Sequence, residues 1–374
     1  MTTTSAADRI AQVLGRPFSV GSLTVPNRIV MAPLTREFSP EGVPGDDVAR
    51  YYARRAAADV GLVITEGTFV HHPSSGTSDR VPRLWGEAAL AGWRGVVSAV
   101  HQVGGKIIPQ LWHVGSARTE GAGPVRTAPP VGPSGLALDG SPKGVALSIT
   151  DVDDVIKAFT GAAAAAQELG FDGLELHGAH GYLIDQFLWG RTNRRTDAYG
   201  GDLASRVRFA AEVVEAVRAA VAPDFPVFFR LSQWKSGHYE ARLADTPAEL
   251  EAILAPLVEA GVDVFHASTR RYWIPEFEGS DLNLAGWTRK LTGKPSVTVG
   301  SVGLDKEFAG PDGRPDRSAV TGISELLNRA ERDEFDLVAV GRALLADPEW
   351  ARKALAGRPG DAEPYDAALL KALY

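Results

Sequence analysis

The chain has 374 residues, 44% hydrophobic and 23% charged, which is the profile of a globular protein with a large core. Its formal net charge of −7 offers no basic surface for nucleic acid or an anionic membrane, and the absence of cysteine excludes disulfides, thiolate catalysis and cysteine-ligated metals. No stretch reaches the roughly 18 apolar residues of a spanning helix and the N-terminus lacks an apolar signal core. The expectation is one cytoplasmic domain over residues 1–374 that acts on small molecules.

In chain order, short apolar runs at 18–20 and 23–25 flank Gly21 and Ser22 and read as an N-terminal hairpin placed to plug one end of the fold. An alternation then sets in. Apolar strands begin near residues 28, 61, 106, 171, 227, 262, 296 and 336, and a helix-length segment follows each. The alanine run at 162–166 belongs to one of these helices, with Asp151 as its expected cap. Eight such units predict an α/β fold, a (β/α)8 barrel, and no GxGxxG turn follows the first strand to favour a dinucleotide-binding half. The connections at 114–150, 233–245 and 269–282 are long, and the last two carry Trp234, Tyr239, Tyr272, Trp273 and Phe277. All follow strands, so all are expected on the C-terminal face where barrels build their sites.

The stretch 170–201, GFDGLELHGAHGYLIDQFLWGRTNRRTDAYGG, is the richest in chemistry. A buried strand is expected over 171–176, with His177, His180 and Tyr182 at its end. Two histidines three apart, with a tyrosine two beyond, point to a site. The basic exit from Arg191 to Asp197 reads equally well as part of the site and as a salt-bridged crossover.

If the barrel closes, the strand ends bring together Pro33, Thr35, Glu66, Gly67, Gln110, His113, His177, His180, Tyr182, Arg230, Gly300, Ser301, Gly341 and Arg342. Glycine-flanked turns after strands seven and eight are where barrels hold phosphate on backbone N–H groups, and Arg342 adds charge-assisted bonds. The set suits a flat, polar, phosphate-bearing cofactor. His71, His72, His101, His238 and His266 are expected on the surface or in packing, with His71 and His72 near the mouth.

HGAHGYLIDQFL with RTDAYGG, together with MAPLTR, ITEG, PQLWH, RLS and VGRALLADPEW, resembles the old yellow enzyme family of FMN-dependent ene-reductases, in the family's order over residues 28–350. The resemblance implies non-covalent FMN reduced by NADPH or NADH, an α,β-unsaturated carbonyl substrate, and a monomer or homodimer. It matches Pro33, Thr35, Gly67, Gln110 and Arg230 to isoalloxazine and ribityl contacts, and Gly300, Ser301, Gly341 and Arg342 to the phosphate site. His177 and His180 match the pair on the substrate oxygen, and Tyr182 the proton donor. Threonine stands at position 35 where some relatives carry cysteine, and histidine at 180 where some carry asparagine. Two other readings stay open: a metal-dependent barrel hydrolase using His177 and His180 with Glu66, Glu175 or His113, and a non-catalytic flavin- or phosphate-binding barrel.

Overall fold

The computed structural model describes residues 6–307 and 317–374. Eight parallel strands close on themselves in chain order. They are β1 (Ile29–Met31), β2 (Leu62–Phe69), β3 (Ile107–Trp112), β4 (Leu174–His180), β5 (Val227–Lys235), β6 (Val264–Ser268), β7 (Ser296–Val299) and β8 (Leu337–Val340). β8 pairs with β1 from Val338↔Ile29 to Val340↔Met31, which completes the ring and leaves the barrel sheet without an edge. Helices α1 (Asp46–Ala57), α2 (Glu87–Gln102), α3 (Ile149–Glu168), α4 (Leu203–Ala220), α5 (Pro247–Ala260), α6 (Leu284–Thr292), α7 (Ser324–Glu331) and α8 (Trp350–Leu355) lie between and after the strands. This is the (β/α)8 barrel expected from the alternation.

The strands read as apolar runs because both faces are covered. Val30, Ile64, Ile108, Phe228, Val264, Val297 and Leu337 meet in the barrel interior. Met31, Val63, Ile107, Leu174, Phe229 and Val338 join the cluster shared with helix residues such as Trp93, Phe159 and Val213. Burying one such side chain stabilises the fold by about 1.5–3 kcal/mol, so polar residues within these strands are conspicuous. The hairpin Phe18–Val20 with Leu23–Val25 is antiparallel, and Phe18, Leu23 and Val25 complete the interior cluster as its plug.

Two expectations are corrected and one open reading is resolved. α3 is capped by Ser148, whose side chain accepts from the Asp151 N–H; Asp151 is instead the third helical residue, and its carboxylate returns a bond to Ser148. β4 runs to His180 and does not end at 176, because its pairing with β5 is interrupted between Gly178 and His180 and then resumes at His180↔Lys235. The basic exit is structural: Arg195 pairs with Asp197, Asn193 Nδ2 donates to the carbonyls of Phe187 and Tyr199 at 2.7 Å each, and none of these residues lines the main cavity. Among the described residues no helix is long and apolar enough to cross a membrane.

Candidate active site

The end of β4 is built by an irregular backbone that its sequence can adopt. Gly178 is required by close approach: a Cβ there would collide with the ring of Phe229 on β5. His180 (φ 65°) and Gly181 (φ 82°) are then consecutive left-handed residues, which turn the chain sharply before the short helix Leu183–Leu188. The turn is held from both sides of the Gly181 peptide. Its N–H donates to Asp185 Oδ2 at 2.6 Å, and its carbonyl accepts from Gln186 Nε2 at 2.7 Å. The Asp-Gln pair of the LIDQFL segment therefore clamps the peptide between His180 and Tyr182.

A cavity of about 330 Å³ opens at the C-terminal ends of the strands. Pro33, Thr35, Gln110, His177, His180, Tyr182, Arg230, Gly300, Ser301, Gly341 and Arg342 all line it. Gly67 does not. It lies in β2 against Trp112, where an added Cβ would collide with the indole.

One wall gathers titratable side chains. The ring of His177 lies 5.1 Å from that of His180 and 5.0 Å from that of Tyr182, and Trp112 packs edge-on to Tyr182 at 4.8 Å. Burial, with Arg230 nearby, holds both imidazoles well below the usual histidine range, so they are neutral at neutral pH. His177 Nδ1 accepts from the Ala179 N–H at 3.4 Å, which places its proton on Nε2. His180 stacks on Trp234 at 4.2 Å, and its Nε2 lies 2.8 Å from Ser268 Oγ. Burial raises Tyr182 above the ordinary phenol range, against the pull of Arg230, so it keeps its proton. The wall thus offers neutral N–H donors and one O–H beside a buried cation.

The opposite end suits a phosphate. Gly300 takes φ 140°, and a Cβ there would stand 2.7 Å from the Thr269 carbonyl oxygen and 2.9 Å from the Arg271 nitrogen. Arg342 reaches Ser301 Oγ and Ser318 Oγ at 3.2 Å each and also donates to the Lys306 carbonyl. On the floor Arg230 is buried, with Nη2 3.3 Å from Ser268 Oγ and Nε without a protein partner. A buried cation with an unused donor, a polar amide on Gln110 and a second arginine at the far end fit a flat, acceptor-rich ring system carrying a phosphate.

Other predicted residues fall outside the cavity. His113 Nε2 lies 3.0 Å from His72 Nδ1, His71 stacks on Trp85 at 5.1 Å, and none of the three lines the cavity. Of the five loop aromatics only Trp234 lines the cavity; Tyr272 and Phe277 are buried in packing. Sequence reasoning missed Ser268 and Thr269 at the end of β6, and also Tyr365 and Leu370 from the C-terminal segment. β6 had supplied no residue to the expected strand-end set although it ends in His-Ala-Ser, a polar signal on an apolar strand. Among the described residues no group of three or more His, Cys, Asp or Glu could hold a metal ion.

Glu66 lies behind the site rather than in it. Its Oε2 accepts from the N–H groups of Arg36 (2.8 Å) and Glu37 (3.0 Å), just beyond Thr35. Burial pushes this carboxyl up to about 7 from 4.5, against those two bonds. A carboxyl whose folded value is raised favours folding most below its unfolded value, and that contribution is lost as pH rises through about 7. Glu66→Gln stays neutral throughout, so its stability relative to the parent is expected to rise by up to about 3 kcal/mol between pH 5 and 8. Urea unfolding at the two pH values checks this; a constant difference between parent and variant refutes it.

A sequence model described as the NADH:flavin oxidoreductase / NADH oxidase family matches residues 14–314. A NADH oxidase of Thermoanaerobacter brockii is 36% identical over 356 residues, 91% of this chain and 50% of that protein. The 12-oxophytodienoate reductase 2 of Arabidopsis thaliana is 39% identical over 218 residues, 56% of this chain and 58% of that protein. This chain therefore spans between half and three fifths of either relative's length. Morphinone reductase superposes with a TM-score of 0.79 at 30% identity, over 96% of this chain and 92% of that one. A second structure of that enzyme, in complex with tetrahydroNAD, gives a TM-score of 0.80 at 30% identity over 96% and 93%. A family match across most of the barrel, together with a cavity fitted to a flat phosphate-bearing ring, shows that the chain belongs to the NADH:flavin oxidoreductase / NADH oxidase family, the FMN-dependent old yellow enzymes.

Proposed function

We propose that this chain reduces the C=C bond of α,β-unsaturated carbonyl compounds at the expense of NAD(P)H. The observation that carries the reading is the meeting of His177, His180 and Tyr182 on one wall of the cavity that Gln110, Arg230 and Arg342 also line. FMN, when bound, supplies the hydride that NAD(P)H has delivered. Arg230 and Gln110 are assigned to its ring, Thr35 and Pro33 to its edge, and Gly300, Ser301, Gly341 and Arg342 to its phosphate. Gly67 lies outside the cavity wall and is assigned to backing Trp112.

The imidazoles of His177 and His180 donate to the substrate's carbonyl oxygen and stabilise the negative charge that grows there as the β-carbon gains hydride. Because both rings are neutral, they do this without giving up a proton. Tyr182 then transfers its proton to the α-carbon, and the phenolate it leaves is reprotonated by solvent. The balance is one hydride and one proton added across the C=C bond, with NAD(P)H oxidised to NAD(P)+. The family assignment argues against the hydrolase alternative. Turnover separates the enzyme from a flavin-binding barrel without activity.

Purified protein is expected to be yellow, to release FMN on denaturation, to bleach anaerobically with NAD(P)H and to recolour with 2-cyclohexenone. A colourless protein, or a bleached one that no enone recolours, overturns the reading.

A further inference from the structure

Beneath the cavity floor, a layer of polar side chains replaces the apolar interior. Gln110 on β3 is the register partner of Glu175 on β4, and Arg230 on β5 is the register partner of both His177 and His266. Glu175 and His266 are both fully buried. Gln110 Nε2 lies 2.7 Å from Glu175 Oε1, and His266 Nδ1 lies 2.6 Å from Glu175 Oε2. Neither Glu175 nor His266 lines the cavity, but Gln110 and Arg230 do.

The chemistry of these contacts fixes orientations. A carboxylate only accepts, so the Gln110 group facing Glu175 must be its NH2, which leaves Oε1 and one N–H free to face the cavity. By the same argument His266 carries its proton on Nδ1, and burial keeps that ring below the usual histidine range. Burial alone would raise Glu175, but His266, Arg230 and Gln110 together hold it below the ordinary carboxylate range. Glu175 is therefore a fixed negative charge behind Gln110 and near the Arg230 cation.

We propose that Glu175, supported by His266, is a positioning residue that fixes the Gln110 amide and counterbalances Arg230, and so holds the reduction potential of the bound flavin down. The proposal rests on the FMN reading above. A cation under an electron acceptor favours the reduced form, and a neighbouring carboxylate offsets that preference. Glu175 takes no part in binding substrate or in moving its proton.

Glu175→Gln keeps the shape and removes the charge. The ratio of FMN dissociation constants, oxidised over reduced, is expected to rise about tenfold or more, which is about 30 mV upward in midpoint potential for a two-electron couple. Potentiometry of the FMN-loaded protein with a reference dye reads this without substrate. His266→Leu is the second variant. It removes one of the two donors, so the carboxyl takes up a proton more readily, and the potential should exceed the parental value more at pH 6 than at pH 9. The groups facing the carboxyl in that test are Gln110, Arg230 and the altered position 266. If Glu175→Gln fails to fold, His266→Leu decides. Variants that hold FMN at the parental potential across this pH range overturn the proposal. A parent that binds no FMN overturns the functional reading on which it rests.

Discussion

Replacing Tyr182 by phenylalanine is expected to slow alkene reduction about 10²–10⁴-fold and to leave reduction by NAD(P)H near its parental rate. The two half-reactions differ in one need. Hydride leaving NAD(P)H requires no proton from the protein, whereas the α-carbon of the alkene must receive one. Burial keeps the Tyr182 phenol protonated, and its ring is held by edge contacts with Trp112 at 4.8 Å and His177 at 5.0 Å. Phenylalanine preserves those ring contacts and deletes only the O–H, so the wall should keep its shape and lose its acid. Stopped-flow measurement of bleaching by NAD(P)H and recolouring by an enone separates the two steps. Equal parental rates in both would remove Tyr182 from the role and leave the proton to another donor.

What was legible in the chain was set by burial. Eight strands could be counted because each is covered on both faces and so reads as a mainly apolar run, and the strand ends converged because a closed barrel leaves them no alternative. β4 was misread at its end for a physical reason. Gly178, His180 and Gly181 look like strand breakers, yet the irregular pairing with β5 lets the strand continue past the glycine that Phe229 demands. Glu175 and His266 were single polar letters in apolar runs. Only the register across β3, β4, β5 and β6 turns them into a network behind Gln110 and Arg230. The loop aromatics could not be placed from the sequence because side-chain direction is not encoded in spacing: Tyr272 and Phe277 turn into the core, and Trp234 turns onto His180. The basic exit, which read two ways in the sequence, is structural because Arg195 pairs with Asp197 and donates to the Pro133 carbonyl, and Asn193 donates to those of Phe187 and Tyr199.

Lys235→Met is expected to be among the most destabilising single changes in this barrel, costing about 3–5 kcal/mol. Lys235 sits opposite His180 in the resumed pairing, fully buried, with Nζ 2.9 Å from an equally buried Asp185. Its remaining donors go to the carbonyls of Gln233 at 2.8 Å and Ser232 at 3.2 Å. Burial pushes the Asp185 carboxyl up to about 6, and it is Lys235 that restrains it. Removing the lysine strands that carboxylate, and Asp185 is also the acceptor that clamps Gly181 between His180 and Tyr182. Two comparisons test the cause. Relative to Lys235→Met alone, the double variant Asp185→Leu with Lys235→Met no longer buries a lone charge and newly unpartners only the Gly181 N–H, at about 1–3 kcal/mol, so it should be the more stable of the two. The deficit of the single variant should also shrink as pH falls, because a protonated Asp185 carries no charge to strand. Denaturant unfolding at pH 5 and 8 measures both. A deficit below about 1 kcal/mol, well under the range for a broken buried pair, or one that does not change with pH, would mean that the ion pair is not what holds this turn beneath the His177 and Tyr182 wall.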